Sequence, residues 1–452
     1  AQVNGKELRL TYKLTEKDSP ATIRFMDATT QSGNLAYQRT LTMIFLKAAR
    51  HVLAEVNITV HNPLNKGIFM RIKTEGPLYD DQVQTIAGLM REYIRRDTPI
   101  VQKKHNKKEA IEVLREMGHE DKAGLLEQAK GVRTVRFYYI DRYCNSFYGV
   151  LAPSTGYVDK FELEKYEDGI ILRMPYTDNP DELPKFNDDR KLYQAVIQIE
   201  WWNKLLGVTC LADLNNKIAK GDTRDMILLS EALHEKRISD IADMIVQQGK
   251  RMVLIAGPSS SGKTSFANRL CIQLKVLGKK PLYMGTDDYY VERKDNPRDE
   301  NGVPDYENLD AMDIELFNRN MNDLLAGKEV DLPEYDFVAG KKVFGKRITK
   351  IDEDQIIVME GIHALNEAMT HQIPKEDKFK IYISPLTQLC VDKHNRISTT
   401  DARKLRRMVR DYQFRGRNAE LTIAEWPKVR AGEDKNIFPY TEEADVLFNS
   451  EM

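Results

Sequence analysis

The sequence predicts two parts of different fold class: an α+β first half, and an α/β second half with a parallel sheet and helices on both faces. Two observations predict the α/β half. An apolar run at 252–256 leads through a Gly-rich turn into a helical stretch, and strands and helices then alternate. Such alternation is typical of a parallel sheet covered on both faces. The first half instead mixes short β-rich runs with amphipathic helices.

Four segments of the first half carry clear periodic patterns. Apolar residues recur at three- and four-residue spacing in 40–56, which predicts a helix, and 80–97 predicts a second one. The β-branched and aromatic residues of 133–141 and 170–174 predict two strands.

The predicted elements of the second half surround the Gly-rich turn. The run 252–256 is a buried strand, and 264–277 is a helix that Gly278 ends. Further strands are expected at 281–286 and 355–359. A helix at 235–250 precedes them all, and the polar stretch 215–235 before it marks the expected domain boundary.

Composition excludes several classes of protein. The 452 residues carry 68 Lys+Arg and 69 Asp+Glu, a net charge of −1, which argues against a general electrostatic grip on nucleic acid. No apolar run approaches the ~18 residues of a membrane helix, and the N-terminus lacks a signal-peptide core. The four cysteines lie far apart, which favours reduced thiols. We therefore expect a cytoplasmic protein, and the missing initiator Met suggests a start inside a longer gene product.

The strongest motif is the phosphate-binding loop at 257–264, which matches G-x-x-x-x-G-K-[ST] between a strand and a helix. Its backbone N–H groups would cradle phosphates, Lys263 would bridge the β- and γ-phosphates, and Thr264 would bind Mg²⁺. The alternative, a chance Gly/Ser turn, does not explain the position of the motif. The predicted ATP-binding residues are Gly257, Ser259, Ser260, Ser261, Gly262, Lys263, Thr264 and Ser265.

A phosphate loop alone does not separate kinases from GTPases. The segment 349–352 imitates a guanine-reading [NT]-K-x-D box, but it precedes a strand instead of following one, so we interpret it as a chance match on a solvated turn. Glu360 ends the strand at 355–359 and could hold Mg²⁺; the alternative is an ordinary polar strand end.

Three further features suit an acceptor site. Asp287 and Asp288 follow the second strand, where ligand crevices form, and a carboxylate there can take the proton of an attacking hydroxyl; solvated turn residues are the alternative. Tyr335 could stack on a base or belong to the core. Arg406, Arg407 and Arg410 share a helix face that could close over phosphates or be merely solvated, and Gly416 would end that helix. Arg415 and Arg417 flank this glycine.

These motifs together resemble the uridine kinase and phosphoribulokinase family of P-loop kinases. The pieces GPSSSGKTS, TDDYY, DYENLDAMD, LPEYDF, MEGI, RRMVRDYQFRGR and IFPYTEEADV run in the family's order from about residue 250 to 452. The resemblance implies a catalytic base and lid arginines, and substrate contacts with ribose and base. By this resemblance the catalytic base is Asp287, and the lid residues are Arg410 and Arg415. The residues that contact the substrate are Tyr290, Tyr306, Glu307, Tyr335 and Arg417.

The chain departs from the family at two acceptor positions. Glu307 stands where nucleoside kinases of this family carry a ribose-binding Asp. The stretch 338–341 lacks the His that reads the pyrimidine edge in those kinases. The resemblance therefore supports the ATP machinery more strongly than the identity of the acceptor.

The first half resembles domains appended to threonyl-tRNA synthetase: 1–26 its ubiquitin-like TGS module, and 27–215 its editing domain, with the kinase domain at 216–452. The family's zinc-binding positions appear here as Lys47, His51, Tyr148 and Leu151, so only His51 remains, as a structural histidine. Cys144 is a weak substitute. The resemblance implies a retained fold without zinc or editing. The basic run 103–108 is a candidate RNA contact, although a solvated loop or helix start is the more common role of such a run.

The sequence as a whole predicts an ATP- and Mg²⁺-dependent kinase that phosphorylates the 5′-hydroxyl of uridine or cytidine. The alternatives are a kinase of another small alcohol, or an RNA-binding regulatory protein with an ATP-binding domain. We expect a homo-oligomer without membrane partners.

Overall fold

The computed structural model describes residues 1–54, 56–298, 302, 304–387 and 389–451. Contacts between residues divide the chain into two compact units. The N-terminal unit comprises Ala1–Gly221 with Gln388–Ile397, and the C-terminal unit comprises Asp222–Thr387 with Ser398–Met452. Within the described ranges, no helix combines the length and the apolar character that crossing a membrane requires.

The N-terminal unit mixes short antiparallel sheets with helices. Its elements up to residue 221 are β1 (Gln2–Val3), β2 (Lys6–Glu7), β3 (Ile23–Arg24), α1 (Gln31–Leu53), β4 (Asn57–Leu64), β5 (Gly67–Lys73), α2 (Asp80–Arg95), β6 (Val101–Asn106), α3 (Lys107–Glu116), α4 (Glu120–Gln128), β7 (Thr134–Ile140), β8 (Tyr143–Asn145), β9 (Glu162–Tyr166), β10 (Gly169–Arg173), α5 (Arg190–Leu206) and α6 (Leu211–Lys220).

The main core of this unit lies between helices α1 and α2 and an antiparallel sheet of order β4-β5-β10-β9. Helix α1 begins at Gln31, earlier than the apolar periodicity predicted, because its first turns are polar. Thr30 caps the helix, and its Oγ1 accepts a hydrogen bond from the backbone N–H of Gly33 at 3.1 Å. A Cβ at Gly33 would lie 1.8 Å from the carbonyl oxygen of Asp27, so the turn requires glycine.

Two smaller sheets complete the unit. Strands β2-β1-β3 form a sheet within residues 1–24, and β6-β7-β8 form another that packs with α3 and α4 around Phe137. Strand β7 confirms the predicted strand at 133–141 within a residue at each end. The basic run 103–108 is not a loop, because it ends β6 and begins α3.

The C-terminal unit is an α/β domain. Along the chain from residue 222 the elements are α7 (Thr223–Gln247), β11 (Met252–Ala256), α8 (Lys263–Val276), β12 (Lys280–Gly285), α9 (Ile314–Leu325), β13 (Val330–Asp336), β14 (Lys341–Thr349), β15 (Gln355–Glu360), β16 (Lys378–Ser384), β17 (Cys390–Asp392), β18 (Asn395–Arg396), α10 (Thr399–Arg415), α11 (Ala419–Asn436) and β19 (Val446–Asn449). Of these, β17 and β18 belong to the N-terminal unit.

Five strands form one parallel sheet in the order β12-β15-β11-β16-β19, which confirms the predicted parallel sheet. Strand β11 is buried along its whole length. Met252 and Leu254 face one apolar core, and Val253 and Ile255 face the other. Because successive side chains point to opposite faces, a strand buried on both faces reads as an uninterrupted apolar run.

The two units divide at 221/222, within the stretch 215–235 that was predicted to contain the boundary. That stretch is largely helical, which the sequence did not predict. Helix α6 ends at Lys220, and α7 begins at Thr223, well before the predicted start at 235. The buried side chains of α7 all lie in its second half, from Ile238 to Ile245. The first half carries apolar residues at helical spacing, such as Met226, Leu229 and Leu233, but none of its described side chains is buried.

A buried ion pair fixes the β17–β18 hairpin within the N-terminal unit. Lys122 Nζ lies 3.4 Å from Asp392 Oδ1, and the two side chains are 3% and 1% exposed. Lys122 also donates to Asn145 Oδ1 at 2.6 Å and to the carbonyl oxygen of Ser146 at 2.9 Å. Removal of one member of such a pair leaves a buried charge without its partner.

We expect Lys122→Met to destabilise the N-terminal unit by about 3–5 kcal/mol, since Asp392 loses its counter-ion. The measurement is thermal and chemical unfolding of the full chain. Lys160→Met is the matched control, because Lys160 pairs with the exposed Asp181 at 2.7 Å and its loss should change the midpoint little. Equal midpoints for the two variants would contradict a stabilising role of the buried pair.

Candidate active site

The loop 257–264 joins strand β11 to helix α8 at the carboxyl edge of the parallel sheet. Ser260 and Gly262 adopt positive φ values of 61° and 89°, which turn the backbone into the helix. A Cβ at Gly257 would lie 2.0 Å from the carbonyl oxygen of Ile383, so the close approach of loop and β16 requires glycine. The sequence predicted this strand–loop–helix context, and the structure confirms it.

Lys263 is the first residue of α8, and its side chain folds back over the loop. Its Nζ donates a hydrogen bond to the carbonyl oxygen of Gly257 at 2.9 Å. Burial lowers the pKa of Lys263, while the carboxylates of Glu360 and Asp287 act in the opposite direction. The ammonium therefore lies among carboxylates at the centre of the candidate site.

Thr264 and Glu360 form a cluster of oxygen atoms beside Lys263. Glu360 Oε1 accepts hydrogen bonds from Thr264 Oγ1 at 2.7 Å and from the Tyr283 hydroxyl at 2.5 Å. Glu360 Oε2 is buried, and no partner for it lies among the described residues. A hydroxyl and an unpartnered carboxylate oxygen are ligands that suit Mg²⁺, which usually takes only one or two protein ligands. The described residues contain no cluster of three or more His, Cys, Asp or Glu side chains suited to a metal.

Asp287 follows strand β12 in a short 3₁₀ turn. Burial raises its pKa above the ordinary value, and the nearby Glu360 and Asp288 carboxylates add to this effect. Lys263 and Arg415 act in the opposite direction on the same pKa. The structure thus brings together four of the residues that the sequence singled out: Asp287, Lys263, Glu360 and Arg415.

Asp288 has a different environment from its neighbour. Its Oδ2 accepts a hydrogen bond from Arg347 Nη1 at 2.6 Å, and its Oδ1 accepts one from the backbone N–H of Tyr335 at 3.3 Å. Both partners belong to the β13–β14 hairpin. Asp288 therefore anchors this hairpin to the turn that carries Asp287.

Four aromatic rings lie beside this turn. The Tyr290 ring contacts those of Tyr306 and Tyr335 at centroid distances of 6.0 and 5.8 Å, and Tyr335 contacts Phe337 at 5.1 Å. Tyr335 is 6% exposed, whereas Tyr306 and Phe337 are 40% and 60% exposed. The ring predicted to stack on a base is therefore covered, and its neighbours present the open faces.

Glu307 lies on the other side of the loop and packs against helix α11. A Cβ at Gly432 would approach Glu307 Cγ to 3.1 Å. Burial raises the pKa of Glu307, and the Glu433 and Asp305 carboxylates raise it further. Lys263 and Arg407 oppose this rise, which places Glu307 within the same charged cluster.

The space next to the missing base-reading His is filled by an arginine. Gly340 has a φ of 68°, and a Cβ there would lie 2.7 Å from Arg293 Nε. Arg293 donates to the carbonyl oxygens of Phe337, at 2.5 Å, and Val338. Sequence reasoning did not identify Arg293, since it lies far from the 338–341 stretch along the chain.

Helix α10 carries the predicted basic segment and ends at Arg415, with Gly416 in the left-handed conformation as expected. Arg406 Nε donates to the carbonyl oxygen of Ser260 at 3.1 Å, and Arg407 Nη1 donates to Ser259 Oγ at 2.6 Å. Arg410, which was expected to share this face, makes no such bond to the loop residues that the structure describes. It donates instead to the buried Asp411 Oδ1, at 2.7 Å from Nη2 and 3.0 Å from Nε.

Arg417, predicted to reach toward the acceptor, forms an ion pair with Glu425 of α11 at 2.5 Å. Both side chains are 45% exposed. The structure does not bring Arg417 into contact with the other predicted acceptor residues.

Arg403 and Glu433, which hold the loop, were also missed by sequence reasoning. Arg403 donates to the carbonyl oxygen of Ser259 at 3.2 Å and forms a buried ion pair with Glu433. Glu433 Oε1 also accepts a hydrogen bond from the backbone N–H of Ser259 at 2.9 Å. Arg403 lies one turn before Arg407, so helical spacing could have indicated it. Nothing in the sequence pairs Glu433 with a residue on another helix.

The N-terminal unit differs from a zinc site at the positions noted above. Lys47 forms an ion pair with Asp141 and lies 4.2 Å from the Tyr93 ring centroid. His51 is exposed in the last turn of α1, and its role as a structural histidine stays a prediction. Tyr148 is 63% exposed and Leu151 is 2% exposed. The expectation of no zinc stays a prediction.

The parallel sheet, the Gly-rich loop at its carboxyl edge and the adjoining lysine define the C-terminal unit as a P-loop phosphate-binding domain. Residues 252–451 match the profile described as "Phosphoribulokinase / Uridine kinase family". The chain belongs to this family through its second half, and its members are kinases. A phosphotransferase domain that uses ATP follows from this membership.

Uridine kinases are among the similar proteins. The enzyme of Macrococcus caseolyticus is 30% identical over 195 residues, which cover 43% of this chain and 84% of the relative. That of Ligilactobacillus salivarius is 26% identical over 206 residues, covering 45% and 87%. Among solved structures, D-glycerate 3-kinase from Cryptococcus neoformans gives a TM-score of 0.30 at 14% identity, over 44% of this chain and 87% of that one.

We expect Glu433→Gln to lower stability by about 3–5 kcal/mol and to weaken ATP binding, because the neutral amide leaves the buried Arg403 without a counter-ion and weakens the hydrogen bond accepted from the Ser259 N–H. Glu425→Gln on the same helix is the control, since Glu425 is 45% exposed. Unfolding and ATP titration of both variants provide the measurement. Intact ATP affinity in Glu433→Gln would argue against a role in holding the loop.

Proposed function

We propose that this protein transfers the γ-phosphoryl group of ATP to the 5′-hydroxyl of a nucleoside, uridine or cytidine. The observation that carries the proposal is the position of Asp287, a carboxylate of raised pKa at a strand end close to Lys263. A general base near the phosphate loop is needed to activate an acceptor, and simple nucleotide binding does not require it. The similarity to uridine kinases supports the choice of acceptor.

The donor side of the proposed reaction is the loop 257–264. Its backbone N–H groups and the N-terminus of α8 stabilise the phosphate charge, and Lys263 contacts the transferred group. Thr264 and Glu360 would hold Mg²⁺, which supplies charge neutralisation at the phosphates when bound. Lys263 already bonds to the carbonyl oxygen of Gly257, so it needs only a small movement to change partner.

On the acceptor side, Asp287 takes the proton of the attacking hydroxyl and orients that oxygen in line with the phosphoryl group. Arg415 influences the pKa of Asp287, so its guanidinium lies near enough to stabilise charge that develops during transfer. Arg410, bound to Asp411, serves as a positioning residue for helix α10 in this proposal.

Recognition of the acceptor is assigned to Tyr290, Tyr306, Glu307 and Tyr335. Glu307 would accept hydrogen bonds from sugar hydroxyls, and the aromatic rings would pack on the base. Without the pyrimidine-reading His, base identity is read only weakly, because aromatic stacking tolerates every base. A kinase of another small alcohol is the second candidate, and the Gly340–Arg293 contact at the place of the base reader favours it.

The deciding experiment measures kcat/KM for uridine, cytidine, adenosine, guanosine and free ribose. We expect comparable values for uridine and cytidine, and lower selectivity than a dedicated pyrimidine kinase. Tyr306→Ala and Phe337→Ala, which remove exposed ring faces, should each weaken all nucleosides together by about 1–3 kcal/mol, and Tyr335→Ala should act by loosening the packing of its neighbours. Activity with ribose but with no nucleoside would favour the small-alcohol alternative.

We expect Asp287→Asn to lower kcat by ~10²–10⁴ with nearly unchanged ATP binding, because the amide keeps the shape and cannot take the proton. Asp288→Asn is the matched control; it should act through the β13–β14 hairpin and mainly raise KM. Wild-type turnover in Asp287→Asn would exclude this residue as the base.

The pH profile gives an independent check of the same residue. A base must be ionised, so the rate is present above its pKa and is lost as pH falls through it. Because burial and neighbouring carboxylates raise the pKa of Asp287, the acid limb of kcat/KM should lie above the pH expected for an ordinary aspartate. Asp287→Asn should remove this limb.

A further inference from the structure

The N-terminal unit contains a small polar cavity that the proposed function does not use. Its volume is about 180 Å³, and its polar lining comes from Arg50, Asn57, His119, Lys393 and His394. We call this group of residues the basic pocket. All of them belong to the N-terminal unit, since Lys393 and His394 form the turn of the β17–β18 hairpin.

One histidine of the basic pocket is buried without a hydrogen-bond partner. His119 is 4% exposed, and its Nε2 has no partner among the described residues. Its ring meets that of His394 edge-on at a centroid distance of 4.9 Å. A buried polar atom is normally satisfied, so an unpartnered nitrogen that borders a cavity indicates a missing partner there.

The second histidine has a defined hydrogen bond behind the cavity. His394 Nδ1 lies 3.0 Å from the side-chain amide nitrogen of Asn145. Because that amide nitrogen can only donate, Nδ1 is the acceptor, and the ring proton of the neutral form resides on Nε2. His394 can therefore offer a donor on the side away from Asn145.

Positive charge dominates around the two rings. Burial, together with the nearby cations Lys122, Arg50 and Lys393, lowers the pKa of His119 to about 3. Burial and the same cations also hold the pKa of His394 well below its usual value. Both rings are consequently neutral near pH 7.

The two neighbouring carboxylates accept hydrogen bonds from the backbone of the hairpin turn. Asp392 pairs with Lys122 and accepts the backbone N–H of His394 at 2.9 Å, and Asp121 accepts that of Lys393 at 2.7 Å. Arg50 uses one guanidinium nitrogen, Nη1, on the carbonyl oxygen of Met117 at 3.1 Å. The other donors of Arg50 and the ammonium of Lys393 remain for a ligand.

We propose that the basic pocket binds a small phosphate-type oxyanion. Arg50 and Lys393 supply charge-assisted donors, and the histidine rings supply neutral ones, which matches the several acceptor oxygens of such an anion. The volume of about 180 Å³ is below the ~300 Å³ of typical small-molecule sites. The pocket therefore suits inorganic phosphate or the phosphate group of a small ester, and it is too small for a nucleotide.

The test uses the full chain with Lys263→Ala, so that phosphate binding at the P-loop does not mask the second site. Inorganic phosphate and glycerol 3-phosphate are titrated by calorimetry at constant ionic strength, with chloride as the reference anion. We expect saturable binding of about one anion per chain. Hydrogen exchange should show new protection at 389–397 and around His119. Preference for one ligand separates a free phosphate site from an ester site.

Variants then locate the anion. Lys393→Met should weaken binding tenfold or more, while Lys130→Met, an exposed lysine of the same unit, should leave it unchanged. Arg50→Lys keeps the charge and loses the planar fork, so it should weaken binding without unfolding the unit, as checked by circular dichroism. Absence of saturable binding, or equal affinity in Lys393→Met and Lys130→Met, would overturn the proposal.

Discussion

The buried ion pair between Arg403 and Glu433 is the interaction on which the phosphate loop depends. Both side chains are 2% exposed, and each also bonds to the backbone of Ser259. Arg403 further lies 5.4 Å from the Trp426 ring centroid. Helices α10 and α11 are thereby fixed to the loop through main-chain groups, which a change of side chain within the loop does not remove. A buried charge without its partner strongly destabilises a fold, so neither Arg403 nor Glu433 can be lost without the other.

Around this anchor, the candidate active site concentrates opposite charges in a confined space. Burial lowers the pKa of Lys263 and raises those of Asp287 and Glu307, so each charged form is disfavoured by the loss of solvent. The attraction between the Lys263 ammonium and the two carboxylates opposes these pKa shifts. The phosphates of ATP would add negative charge next to Lys263 and favour its ammonium form. Burying these charges is unfavourable for folding, but the same fixed charges can stabilise the charge that develops during phosphoryl transfer.

In the N-terminal unit, charged side chains on helix α1 have partners from other elements. Lys47 stands where a first zinc-binding histidine is expected, and its ion pair with Asp141 and its contact with Tyr93 satisfy it without a metal. One turn further along helix α1, Arg50 borders the basic pocket, which a hairpin from much later in the chain completes.

Local patterns in the sequence determined the sheet, the phosphate loop and the positions of Lys263, Thr264, Asp287 and Glu360, because strand ends and loop glycines leave signatures within a few residues. The early start of α7 was missed: its first half was interpreted as a polar boundary, although Met226, Leu229 and Leu233 recur there at helical spacing. Only the tertiary structure decided that Arg403 and Glu433 pair, that Arg410 turns to Asp411, that Phe337 covers Tyr335, and that Lys393 meets Arg50. Some of these contacts join residues far apart along the chain. Others, such as Arg410 with Asp411, are one of several pairings possible on a single helix. Packing and desolvation set them, and no short sequence pattern encodes either.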